Sequence, residues 1–161
     1  MVPLFLVHER GFDLAAANGL LGLSRIPGLF VVLLAGWITD RLGPSTTVTL
    51  ALAVTGTAIV VMAVGPAGWV AAAVFVQSAA SACLFPPILS MASAISTPEN
   101  RALTLSLSLA VAPVVGGGLL PAGIALAGDL GSFAAGLVAA GVLTAAGIGL
   151  VRPLKRSTGR G

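Results

Sequence analysis

The side chains able to do chemistry are few, and the most telling one lies in greasy surroundings. Arg25 sits inside the apolar run 14–39, twelve residues after Asp13 and fifteen before Asp40. At about 1.5 Å per helical residue it lies roughly 18 Å from the nearer polar end. That is close to the middle of a bilayer whose hydrocarbon is about 30 Å thick. A charge at that depth is costly, and by default it marks a solute or ion pathway. Asn18, Gly22 and Arg25 fall at i, i+4 and i+7, one stripe of a helix. A fixed positive charge on a polar stripe suits an anionic solute, or one that carries a carboxylate. The plainer alternative is an arginine held by backbone carbonyls or by a neighbouring helix. Gln77 and Ser81 form a second pair at i and i+4, with Ser78 beside them. They either line the same cavity as Arg25 or join helices by polar contacts.

Other chemistries lack their parts. All five acids fall in loops or at helix ends, so no buried carboxylate is available as a proton relay. His8 is the one histidine and Cys83 the one cysteine. Neither a nucleophile–base pair nor a metal cluster can be assembled from them, and no glycine loop suited to phosphate is present. An enzyme is not expected, nor is a cofactor or a bound metal.

The composition sets the environment. Hydrophobic residues make up 57% of the 161 and charged residues only 8%, against about 25% charged in soluble domains. So few charges cannot cover a water-facing surface, so most of the surface must meet lipid. Glycine (21) and proline (10) are frequent, and membrane helices tolerate both. A span needs about 20 apolar residues. By that measure the chain divides into spans at 14–39, 46–64, 69–96, 103–127 and 132–151, followed by a basic tail at 152–161. The backbone must satisfy its hydrogen bonds internally in lipid. The alternating polarity of a barrel strand is absent. The expected fold is an all-α integral membrane protein with five full transmembrane helices plus a truncated N-terminal one. The first seven residues carry no basic group before their short apolar run, unlike a signal peptide. They read as the end of a helix that begins elsewhere.

Orientation follows from the basic residues in short loops. With alternating spans, Arg41, Arg101, Arg152, Lys155, Arg156 and Arg160 share one side, and only Arg10 takes the other. The C-terminus is therefore expected to be cytoplasmic, in a multi-pass protein of the cell membrane. A short tail after a greasy segment is a juxtamembrane anchor, so no nucleic-acid partner is expected.

Gly36-Trp-Ile-Thr-Asp40-Arg41-Leu-Gly43 closes the first span. Its pattern G-x-x-x-D-R-x-G resembles the loop signature of the major facilitator superfamily. That signature lies between the second and third helices and, more loosely, between the eighth and ninth. Pro44-Ser45 replace the basic residues that continue the stricter copy. The resemblance implies half of a major-facilitator-type bundle, running from the end of the seventh helix through the twelfth. It implies that Asp40 caps or pairs with a neighbouring helix end and, with Arg41, holds the outward-facing state, and that Gly36 admits a close helix. It also implies a partner: the missing N-terminal six-helix half, with the solute held between the halves and moved by alternating access. Pro113-x-x-Gly116-Gly117 is similar to the family's glycine–proline motif, with Ala112 in a glycine position, and is taken as a bend and packing site. Pro27, two residues after Arg25, is a hinge beside the site or an ordinary membrane-helix kink. The expected function is transport of a small solute. The rival is a self-assembling membrane interaction protein without transport of its own.

Overall fold

A computed structural model describes residues 2–94 and 96–151. The basic tail expected at 152–161, and the packing of Pro113 and Gly117, lie outside the described residues. Among those residues every regular element is helical. In chain order they are α1 (Val2–His8), α2 (Leu14–Leu42), α3 (Pro44–Val64), α4 (Ala67–Ala82) and α5 (Phe85–Ala94). Then come α6 (Arg101–Pro113), a π-helical segment (Val114–Leu119), α7 (Leu120–Asp129) and α8 (Phe133–Ala146). Four helical stretches are long and apolar enough to cross a membrane: Leu14–Leu42, Pro44–Val64, Ala67–Ala94 and Phe133–Val151.

Local chemistry explains where these helices start and stop. Asp13 caps α2, its Oδ2 accepting the Ala15 N–H at 3.0 Å. Ser132 caps α8, its Oγ accepting the Ala135 N–H at 3.2 Å. Both side chains satisfy donors that the first helical turn leaves without partners. Pro44 sits in the first turn of α3, where its missing N–H removes no helical bond. Pro86 and Pro87 occupy the same kind of place in α5, and the third apolar run breaks just before them, at Cys83–Leu84. The helix breaks on the N-terminal side of the proline pair because Pro86 and Pro87 have no N–H to donate to the Ala82 and Cys83 carbonyls.

The helices pack through small residues. A β-carbon placed on Gly56 of α3 would lie 2.8 Å from the Gly141 carbonyl oxygen of α8. One placed on Gly141 would lie 3.0 Å from the Gly56 carbonyl oxygen. Two backbones meet there with no room for a methyl group. Gly136 of α8 is just as tight against Ile124 and Ala127 of α7. Lipid supplies no hydrophobic drive between helices, so close van der Waals contact of this kind holds the bundle. By contrast, a β-carbon on Gly116 or Gly118 would meet nothing within 4 Å. The close packing expected at Gly116 is therefore not made by the described elements.

The main core gathers Phe5, Leu6, Ala17, Met62, Val70, Val74 and Leu137. The short α1 is therefore wedged into the bundle by two fully buried side chains, Phe5 and Leu6. The residues after α1 tie down the same end. Glu9 receives the Phe133 N–H, and its Oε2 accepts the Ala134 N–H at 3.2 Å. Arg10 donates to the carbonyls of Met62, at 3.1 Å, and Ala63. An acid thus caps the N-terminus of α8 and a base the C-terminus of α3, each complementing the helix dipole. Glu9→Ala is expected to lower stability by about 1 kcal/mol, the usual worth of a cap. Thermal unfolding in detergent, followed by circular dichroism, measures it.

Candidate functional site

α2 carries both halves of the candidate site. Its buried positions are Ala17, Ser24, Gly28, Ala35 and Thr39, all small. They let α4 approach, and a β-carbon on Gly28 would stand 3.5 Å from the Ala82 Cβ and 3.8 Å from the Ser78 carbonyl oxygen. The large apolar side chains of Phe30, Leu33 and Leu34 point the other way and are 65%, 79% and 57% exposed. So wide an apolar face has to be covered by lipid or protein.

Where α2 and α4 part, next to their contact at Gly28, a groove of about 1050 Å³ opens, reaching to Phe85 at the start of α5. Arg25, Ser24, Gln77, Ser78 and Ser81 give it a polar side. Among the described residues Arg25 is the only charged side chain lining it. The two polar pairs anticipated from their spacing, on α2 and on α4, therefore meet in one place through Arg25 and Gln77. Asn18 does not join them. It is exposed on α2 two turns away and is not among the groove's lining residues.

Hydrogen bonding within the groove is specific. Ser24 Oγ donates to the Leu21 carbonyl at 2.8 Å. Gln77 Nε2 donates to Ser81 Oγ at 3.0 Å, and that hydroxyl donates to the Gln77 carbonyl at 2.7 Å. These hydroxyls spend their protons on their own helices. No described group makes a hydrogen bond or ion pair with the Arg25 guanidinium. Pro27 lies inside the continuous α2 and cannot donate to the carbonyl of Leu23, two residues before Arg25. Ser24 and Gly28 were missed from sequence. Their signal was the run of small residues on one face, which marks a close helix neighbour before it marks a cavity.

The loop at the end of α2 is built from its backbone. Gly43 has φ 81° and ψ 150°, a region that only glycine occupies at ease. Its N–H donates to the Thr39 carbonyl at 2.9 Å, and its own carbonyl accepts the Thr47 N–H at 3.1 Å. One residue thus ends α2 and begins α3. Gly43→Ala is expected to cost about 1–3 kcal/mol of backbone strain, read as a lowered melting point. The Arg41 guanidinium stacks over Trp37, 4.8 Å from the ring centroid. Asp40 is exposed and makes no ion pair or hydrogen bond among the described residues. A β-carbon on Gly36 would meet nothing within 4 Å. The close helix expected at Gly36, and the helix-end partner expected for Asp40, are not supplied by the described part of this chain.

Compared with known proteins, residues 1–160 match the family model of the Major Facilitator Superfamily. The chain belongs to that superfamily. No characterised protein and no solved structure gives a significant match. A major facilitator chain is a membrane transporter in general terms, which agrees with four membrane-length helices and a multi-pass arrangement. Within this major facilitator chain the Gly36–Gly43 loop and the Arg25 groove lie on the same helix, α2.

Proposed function

We propose that this chain moves a small anionic solute by alternating access, as the C-terminal half of a secondary transporter. An N-terminal six-helix half would complete the cavity. The observation that carries this reading is the groove in which Arg25 of α2 faces Gln77 and Ser81 of α4. A cation without a described partner, deep in a span, is tolerated where water or an anion reaches it. Close contacts expected at Gly36 and Asp40 fall to the other half, which would meet α2 on its exposed face. Arg101–Asp129 would form the remaining crossing, with the π-helical segment as its bend.

The helix-end contacts and the basic residues support one orientation. Glu9 and Arg10 join the start of α8 and the end of α3 at one end of the bundle. Gly43 and Arg101 then fall at the opposite end, with Arg41 beside Gly43. By the positive-inside rule that end is cytoplasmic, as is the C-terminal tail, in the cell membrane. A cysteine introduced at Ser132, in a Cys83→Ser background, should react with an impermeant maleimide added outside intact cells. One introduced at Asn100, exposed beside Arg101, should react only after permeabilisation. The opposite pattern would invert the topology.

Solute counterflow tests the function. Cells expressing the complete reading frame that contains these residues should show saturable exchange for some members of a labelled panel of small anions and neutral solutes. Exchange equal to empty-vector cells for every solute would remove the transport reading and leave a self-assembling membrane protein.

A further inference from the structure

Resting on the transport reading, we infer that the groove between α2 and α4 selects an organic monoanion: one carboxylate on an apolar body larger than acetate. Four observations carry this. First, the groove offers one cation and no acid among the described residues. A second negative charge on the ligand would lose part of its hydration on entering and find no second cation on this wall, which is costly. This disfavours dicarboxylates and phosphate.

Second, the hydroxyls of Ser24 and Ser81 donate to backbone carbonyls of their own helices, 2.8 Å and 2.7 Å away. Their protons are not available to a ligand. A polyol needs many donors and acceptors along its length, and a half-satisfied set of buried hydroxyls is worse than none. The guanidinium is the richest donor on the wall, ahead of the Gln77 amide and the Ser78 hydroxyl, and its planar fork matches a carboxylate.

Third, the rest of the wall is apolar, formed by Val2, Leu21, Leu29, Val32 and Phe85. At about 1050 Å³ the groove reaches the upper end of ordinary small-molecule sites, roughly 300–1,000 Å³. It is far larger than a bare carboxylate requires. A ligand that satisfies only Arg25 would leave these side chains against water, so an apolar body adds affinity with each methylene buried.

Fourth, depth argues against a lipid headgroup as the anion. Arg25 is twelve residues past Asp13, about 18 Å along the helix. Phospholipid phosphates sit outside the hydrocarbon, near the helix ends. A free solute entering through water reaches Arg25, whereas a headgroup would have to leave its interface.

The test uses the full chain in nanodiscs of neutral lipid, with labelled benzoate as the probe. Saturable benzoate binding is expected, displaced by 4-butylbenzoate at a concentration at least tenfold below that needed with acetate. Benzyl alcohol, succinate and inorganic phosphate should displace it poorly. Arg25→Gln should weaken binding at least 30-fold while Arg25→Lys retains part of it, with helicity checked by circular dichroism. The competitor series on the unsubstituted chain decides the matter even where a variant fails to fold. Equal displacement by acetate and butylbenzoate, or stronger displacement by succinate or phosphate, would overturn the inference. Counterflow of succinate that depends on Arg25, without benzoate binding, overturns the substrate class and leaves transport standing. Absence of any saturable exchange overturns both.

Discussion

Arg25→Ala is expected to lower the transport kcat/KM for an anionic solute by about 100-fold. Charge-assisted hydrogen bonds contribute about 1.5–3 kcal/mol each, and about 1.4 kcal/mol corresponds to tenfold. Arg25 is the groove's only charge among the described residues, so none of the described neighbours can take over its role. Arg25→Lys keeps the charge but loses the planar fork, and a loss of about tenfold is expected. Neutral solutes, if any are carried, should respond to neither variant. Initial rates in proteoliposomes, measured against solute concentration, separate these cases. An effect on stability alone would appear as fewer folded molecules with an unchanged KM. An effect on binding raises KM in molecules that remain helical.

The largest effect on stability is expected at the crossing of α3 and α8. Gly56 and Gly141 face each other so closely that an added β-carbon would stand 2.8 Å and 3.0 Å from the opposing carbonyl oxygens. Neither neighbour can yield, because both are backbone. Gly141→Val forces the helices apart and loses the dispersion contacts along their length. Overpacking of this kind costs about 1–3 kcal/mol and at times more. In a bundle held by close contact rather than by water exclusion, the upper end is expected. Gly56→Leu should act alike, and the double variant should cost less than the sum, since one separation serves both. Unfolding in graded detergent and denaturant mixtures measures all three. By comparison Gly22→Ala should be near neutral, since a β-carbon there meets nothing within 4 Å.

Much of this arrangement was legible in the residues, for physical reasons. Lipid forbids unpaired backbone, so a long apolar run becomes a helix, and its ends fall at charges, prolines and glycines. Asp13, Gly43 and Ser132 marked such ends. The loop from Gly36 to Gly43 was legible because its residue types are tied to backbone geometry, above all the positive φ of Gly43. Arg25 and Gln77 were legible as polar exceptions on apolar faces, and they come together in the groove.

Other features were not legible. Glu9 and Phe133 are 124 residues apart, and no local pattern announces that a carboxylate will cap so distant a helix. The π-helical turn at Val114–Leu119 depends on how a glycine-rich stretch follows the helix before it. Its glycines signalled a bend without specifying the hydrogen-bond register. Asn18 shared the stripe of Arg25, yet the groove does not extend to it. Spacing along one helix fixes a direction, and only the position of α4 decides how far along that direction the cavity runs.

The central claim is that the Arg25 groove is a water-filled path open to each side of the membrane in turn. Cysteine accessibility at Ser78, which lines the groove, tests it most directly. Ser78→Cys in a Cys83→Ser background should react with a small water-soluble maleimide added from either face, in separate experiments. An anionic solute that is transported should slow both reactions. A cysteine at Ser78 that resists water-soluble reagents from both faces, yet reacts with a lipid-soluble one, would show a groove filled with lipid and contradict the account.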